Sequence, residues 1–317
     1  ASTQFPQSGA LTLSATGFST EPALNAVSDQ GAEQLLFAAE DVAVALPGVL
    51  GALLPCASSS PNDACAGTFI DRFGRRAYRR TLSTEERAAL MTAYRDARAA
   101  GFAFDEAVAA VTVLMLQSPR FLYVVEGAAS DLRALDGFEL ASRLSFLFWG
   151  SIPDDALLDA AAQGALDTPE GLAAQATRLL ASSKADPSIA RLFREWLEAP
   201  EVTPAQKDQT LFPQMTAAVT QSMNGSLDRF VADQVRQGSL ATLLTSDAAF
   251  VDANTAPFFG VSAPPAGQWQ RVALGAGPRR GVVTQPGVMA ALAHANDASY
   301  VFRGRMVHKR LLCQPLG

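Results

Sequence analysis

The sequence predicts an all-α, bundle-like architecture of many helices, with a long Pro/Gly-rich loop near residues 252–279. Apolar residues recur at three- and four-residue spacing through most of the chain. Helix start and stop signals punctuate it at short intervals. Period-two alternation with β-branched residues is nearly absent, and only Phe121–Val125 and Arg271–Leu274 read weakly as strands. Composition agrees: 59 of the 317 residues are Ala, the residue with the best intrinsic helix propensity. With three Lys among 25 basic residues, the same bias is also that of a high-GC coding sequence.

Each element has a local reason. Residues 1–27 are rich in Ser, Thr and Gly and read as irregular. Ser28 reads as the N-cap of a helix with Leu35, Leu36, Ala39, Val42 and Leu46 on one face, ended by Pro47–Gly48. Asn62 or Asp63 caps a helix carrying Phe69, Ile70, Phe73 and Ala77. Ser83 and Glu86 fit a capping box, and the helix behind them runs to about Ala100, where Gly101 stops it. Phe104–Gln117 is a further apolar helix, closed by Ser118–Pro119. Leu135–Trp149 follows, with Glu139 and Arg143 spaced for an i, i+4 pair. Pro153 is placed as the first residue of the next helix, with Asp154 and Asp155 near its positive end. Helices then open at Thr168–Pro169, at Asp186–Pro187 and behind Phe212–Pro213, the last running to about Gln237. Pro286–Ala295 and Ser299–Leu312 are the final helical stretches.

The length suffices for one large or two medium domains. Four segments are expected: 1–54, an N-terminal helical remnant; 55–130, a helical module with the Cys loop; 131–260, a central helical module; and 261–317, a basic module. A hydrophobic content of 49% excludes a disordered tail or a collagen-like rod. The net charge of −6 argues against nucleic acid as a partner. That figure averages two unlike parts. Residues 260–317 carry Arg271, Arg279, Arg280, Arg303, Arg305, Lys309 and Arg310 against Asp297 alone, a net +6, and the rest carries −12. Either the basic end meets an anionic partner, or it docks on acidic helices of its own polypeptide or on a flanking module.

No stretch reaches the ~18 consecutive apolar residues that a membrane span needs. The chain starts at Ala1 without Met or a basic-then-apolar leader, which reads as a removed leader or a trimmed piece. Cys56 and Cys65 flank eight residues of a Ser/Pro/Asn/Asp loop. Such a loop is easily closed by a disulfide, and a disulfide points to a periplasmic or secreted location. Two free thiols are the alternative. Cys313 pairs beyond the C-terminus or with nothing.

The chain has two histidines, His294 and His308, too few for a His-rich zinc site. They are single ligands to something on another domain, or ordinary helix-face residues. No metal site is expected. There is no Cys-x-x-Cys-His, so this segment attaches no haem of its own. Gly-x-Ser-x-Gly, Walker and Gly-x-Gly-x-x-Gly motifs are absent. The weak candidates for acid/base chemistry are Glu139, Arg143, Asp154, Asp155 and His294. Each of the first four also has a structural reading, as helix-terminal acids or an ion pair. Arg75, Arg76, Arg79 and Arg80 crowd one helix end, where they complement its dipole or hold an anion. Arg279, Arg280, Arg303 and Arg305 sit in two Arg–Gly contexts. Glycine permits close backbone approach and Arg supplies planar donors, so these four are candidates for binding an anion or a partner.

Four stretches carry a family resemblance: FGRRAYRRTLSTEE, LQSPRFLYVVE, FELASRLSFLFWGSIPDDALL, and RRGVVTQPGVMAALAH with SYVFRGRMVHKRLLCQPL. In order and spacing the chain, from about Phe5 to Leu316, resembles large exported proteins of planctomycetes and myxobacteria. Those are built from domains of unknown function, often beside planctomycete-type cytochrome c domains. Tyr300 stands where the family usually has Pro, and family members continue past this chain's end. The resemblance implies a piece of a longer polypeptide with missing flanking modules, and haem only on a separate domain or partner. The expected function is an exported helical scaffold or binding module, redox-associated, whose basic end meets an anionic or haem-bearing partner. The alternative is an enzyme, either an oxidoreductase working with a partner haem or a hydrolase of a cell-surface polymer.

Overall fold

The computed structural model describes residues 28–124, 126 and 133–314. The irregular stretch expected at 1–27 lies outside them. The described residues are mostly helical, with one two-stranded antiparallel sheet, so the fold is all-α. They form two compact units, 28–177 and 178–314.

In the first unit, Ser28 caps α1 (Asp29–Ala45), its hydroxyl accepting from the Gly31 N–H at 3.1 Å. Pro47 ends α1 but also opens α2 (Pro47–Leu53), since its fixed φ suits a first helical residue. The one-turn α3 (Cys56–Ser59) is tied to α4 (Asp63–Ala77) by a Cys56–Cys65 disulfide. Asn62 caps α4 through the Cys65 N–H. The capping box of Ser83 and Glu86 opens α5 (Thr84–Ala99), and Gly101, at φ 96°, turns the chain behind it. α6 (Phe104–Gln117) ends at Ser118, which caps the short α7 (Pro119–Leu122). The strand signal at Phe121–Val125 therefore fails at Phe121 and Leu122, which are helical. Val125 lies outside the described residues. Leu46, Leu50, Ile70, Tyr94, Val108 and Met115 belong to one core, so the 1–54 and 55–130 segments share it.

Asp136 caps α8 (Gly137–Trp149), which starts two residues inside the expected Leu135, and Gly150 at φ 60° ends it. α9 (Asp155–Ala162) starts later than expected. Pro153 lies outside it because the Asp154 carboxylate accepts the Leu157 N–H at 2.9 Å and so makes Asp154 the N-cap. α10 (Pro169–Ala181) follows.

The second unit is built on α12 (Ala217–Gln237), whose Leu227, Phe230 and Val231 are fully buried. Against it pack α11 (Asp186–Trp196), β1 (Ala248–Val251) and α15 (Pro286–Ala291). α13 (Leu240–Thr245) leads into β1, which pairs antiparallel with β2 (Gln270–Ala273), Phe250 opposite Arg271. The expected loop at 252–279 thus contains β2 and a helical turn, α14 (Ala256–Phe259). α16 (Tyr300–Met306) continues into a π-helical turn, Val307–Leu311.

Candidate functional site

The acid/base candidates do not converge. Glu139 is drawn to the start of α8, where its carboxylate accepts the Asp136 N–H at 2.9 Å and pairs with Arg133. Arg143 forks onto Glu126, at 2.5 and 2.7 Å. The capping box turns Glu139 back toward the helix N-terminus, and its carboxylate, four residues before Arg143, still adds to the attraction that raises the Arg143 pKa behind the larger effect of Glu126. Asp154 is the α9 cap. Asp155 pairs with Arg76, whose hydrogen bond holds the Asp155 carboxyl below the usual range. His294 lies in the other unit.

The four arginines at the end of α4 each have a separate task. Arg75 meets Asp159 at 2.6 Å, and Arg76 meets Asp155. Arg80 forks onto Glu86 at 2.8 and 2.7 Å, where Arg120 joins at 2.7 Å. The Arg80 hydrogen bonds hold the Glu86 carboxyl at about 2, against the opposing effect of burial. Arg79 is 5% exposed and donates to the carbonyls of Arg120, Phe121 and Tyr123 at 2.7, 3.0 and 2.5 Å. Its guanidinium also lies 5.8 Å from the Phe146 ring centroid. Beside this clasp is a cleft of about 200 Å³ between Arg79, Arg120, Glu126, Asp136 and Glu139. A proton-transfer acid works best with a pKa near the operating pH. Glu86 is far below it, and Arg143 holds Glu126 below the ordinary value.

In the basic terminal segment three cations converge on one carboxylate. Glu198 accepts from Arg305 at 2.9 Å, Lys309 at 2.9 Å and Arg310 at 2.7 Å. Burial pushes its carboxyl up, but the three donors together outweigh that and hold it at about 2. Glu198 sits at φ 51°, a left-handed conformation that non-glycine residues seldom adopt. Arg303 donates to the Ser299 carbonyl and lies 5.1 Å from the Tyr300 ring centroid. Arg280 reaches the carbonyls of Thr245 and Gly275, and Arg279 is exposed. No contact joins the Arg279–Arg280 pair to the Arg303–Arg305 pair among the described residues. The Gly281 backbone approaches Leu244 rather than an anion, for an added Cβ there would lie 2.2 Å from the Leu244 carbonyl oxygen.

His294 packs its ring on Phe302, centroids 4.8 Å apart, and the His308 Nδ1 faces the Gln314 carbonyl at 3.2 Å. Among the described residues no group of three His, Cys, Asp or Glu side chains is placed to hold a metal ion. Sequence reasoning missed Glu198, and it missed Lys207, which is 9% exposed and lines a cavity with His294. Neither has a local signal, because their partners lie about a hundred and about ninety residues away.

Residues 65–126 match PSD5, a protein family of unknown function (DUF1595), and residues 135–261 match PSD4, a family of unknown function (DUF1592). Two such domains in tandem are consistent with a multi-module protein. The first match covers most of α4 with α5–α7, and the second covers α8–α14. No curated protein and no solved structure matches the chain. Among the described residues no single helix is long and apolar enough to cross a membrane.

Proposed function

We propose that the chain is a helical scaffold and binding module of an exported, redox-associated multi-module protein, and that its basic terminal segment docks on an anionic partner. The partner favoured by the resemblance is a haem-bearing domain, with haem held there and not here. The observation that carries this reading is the unequal charge pairing along the basic terminal segment. Three cations share the single carboxylate of Glu198, which fixes the segment in place. Arg279, Arg280 and Arg303 meet no carboxylate among the described residues. Beside Arg303, Tyr300 and Val301 are 81% and 77% exposed. Arg303 and Tyr300, side by side on α16, are residue types that interfaces favour. The Cys56–Cys65 disulfide supports export. Catalysis is less well supported, because the acid/base candidates are divided between the units and those in the first are engaged in caps and ion pairs.

Binding to an immobilised acidic c-type cytochrome, followed across a salt series, tests the proposal. The native chain should bind more weakly as salt rises. The triple variant Arg279→Gln, Arg280→Gln, Arg303→Gln should lose about tenfold in affinity and much of the salt dependence. Equal affinity and an equal salt slope in native chain and variant would overturn it.

A further inference from the structure

α4 carries cations that its own ion pairs do not use up. Phe69, Arg72, Phe73 and Arg76 follow at i, i+3, i+4 and i+7, so they share one face of the helix. Arg76 forks onto Asp155, and Arg75 donates one N–H to Asp159 at 2.6 Å. The neighbouring Asp71 is held by Arg87. Arg72 is exposed and meets no acceptor among the described residues, so all five of its N–H donors are open to a guest.

This face lines an open cleft of about 210 Å³. Its apolar side is the Phe69 and Phe73 rings, nearly parallel with centroids 5.3 Å apart, the first buried and the second half-buried. Leu53, at the end of α2, forms an exposed lip. The charged side is Arg72, Arg75 and Arg76 against the single carboxylate of Asp155. Both Asp155 oxygens already accept from Arg76. That hydrogen bond lowers the Asp155 carboxyl, and Arg75 and then Arg72 add to the effect through space. Arg72 therefore lies within electrostatic reach of the cleft's acid, and once Arg76 has matched that acid a positive excess remains. A space of about 150 Å³ holds benzene, so the cleft seats one aromatic ring and leaves a head group at the mouth. Arginine's planar fork fits two phosphate oxygens at once.

We propose that this cleft binds a small aryl phosphate, its ring against Phe73 and its phosphate forked by Arg72 at the mouth. The apolar side selects the body, and the positive excess selects an anionic head. The site belongs to the first unit and does not rest on the reading of the terminal segment.

Ligand-detected NMR titration of the full chain at neutral pH, with phenyl phosphate, inorganic phosphate and phenol, tests the site. Phenyl phosphate should bind at least about tenfold more tightly than either fragment, because it alone meets both the rings and Arg72. Arg72→Gln should weaken phenyl phosphate about fivefold or more and leave phenol unchanged. Leu53→Asp sets a second carboxylate at the lip and should weaken phenyl phosphate by a similar factor. The terminal triple variant, Arg279→Gln, Arg280→Gln, Arg303→Gln, should bind it as the native chain does. Far-UV circular dichroism checks the fold of each variant. If Arg72→Gln fails to fold, Leu53→Asp and the comparison of the three probes decide. Phenyl phosphate no tighter than either fragment, affinity unchanged in folded Arg72→Gln or Leu53→Asp, or affinity lost in the terminal triple variant would overturn the proposal.

Discussion

Arg79 combines a left-handed backbone, φ 58°, with a guanidinium buried against three carbonyls from residues 120–123. Arginine's planar fork spans several acceptors at once, whereas a lysine ammonium is a point charge. Arg79→Met should destabilise the chain by about 2–4 kcal/mol, because the buried carbonyls lose their donors. Arg79→Lys should recover less than half of that loss. Urea unfolding of the three proteins measures both. The sequence places Arg79 correctly at a helix end, among three other arginines. It cannot single out the buried one, since burial depends on carbonyls more than forty residues away. Lys207 was hidden in the same way: a lone lysine in a polar stretch becomes notable only once the chain end near Ala293 folds over it.

Among whole elements, Gly281 and Gly304 look alike in sequence, each following an arginine, but their surroundings differ. Gly281 has φ 64° and faces the Leu244 backbone, and its N–H donates to the Ser246 carbonyl at 2.8 Å. Gly304 lies inside α16 with nothing within 4 Å of an added Cβ. Gly281→Ala should destabilise by about 2 kcal/mol or more through clash and backbone strain. Gly304→Ala should stabilise by about 0.5–1 kcal/mol through helix propensity. Thermal melting should move Tm down for the first and up for the second. The same contrast between local and distant causes explains what was legible. The caps at Ser28, Asn62 and Ser83 depend on residues three positions away, so the sequence reading finds the first and last and narrows the second to Asn62 or Asp63. β1 is Ala-Ala-Phe-Val, buried at Ala248, Ala249 and Val251, so its pattern carries no alternation. β2 gave a weak signal one residue out of register. Glu198 escaped because its arginine and lysine partners arrive through the folded backbone rather than through helical spacing, whereas Glu86 was legible as a cap and only its pairing with Arg80 and Arg120 was not.

For the molecule as a whole, Glu86 and Glu198 give each unit its own acid-sensitive anchor. Both carboxyls are held at about 2 against an ordinary 4.5, and their side chains are 19% and 22% exposed. A depressed folded-state pKa stabilises above the unfolded value and loses that contribution as pH falls through the window from 4.5 to about 2. Each group should contribute about 2–3 kcal/mol at neutral pH. Denaturant unfolding over this acid range should show stability falling with pH. Glu86→Gln should be less stable at neutral pH and have a shallower acid limb, and Glu198→Gln should behave likewise. An unchanged limb in either variant would remove that carboxylate from the account. The net charge of −6 conceals this arrangement. What matters is where opposite charges meet, and around α16 the single Glu198 serves three cations.

The Cys56–Cys65 bond encloses eight residues, including all of the one-turn α3 but Cys56 itself. Its consequence concerns cleavage rather than folding. A protease that cut one peptide bond between these cysteines would leave two pieces still joined by sulfur. The nicked chain would migrate as one species on a denaturing gel until a thiol reductant was added, and only then would the cut become visible.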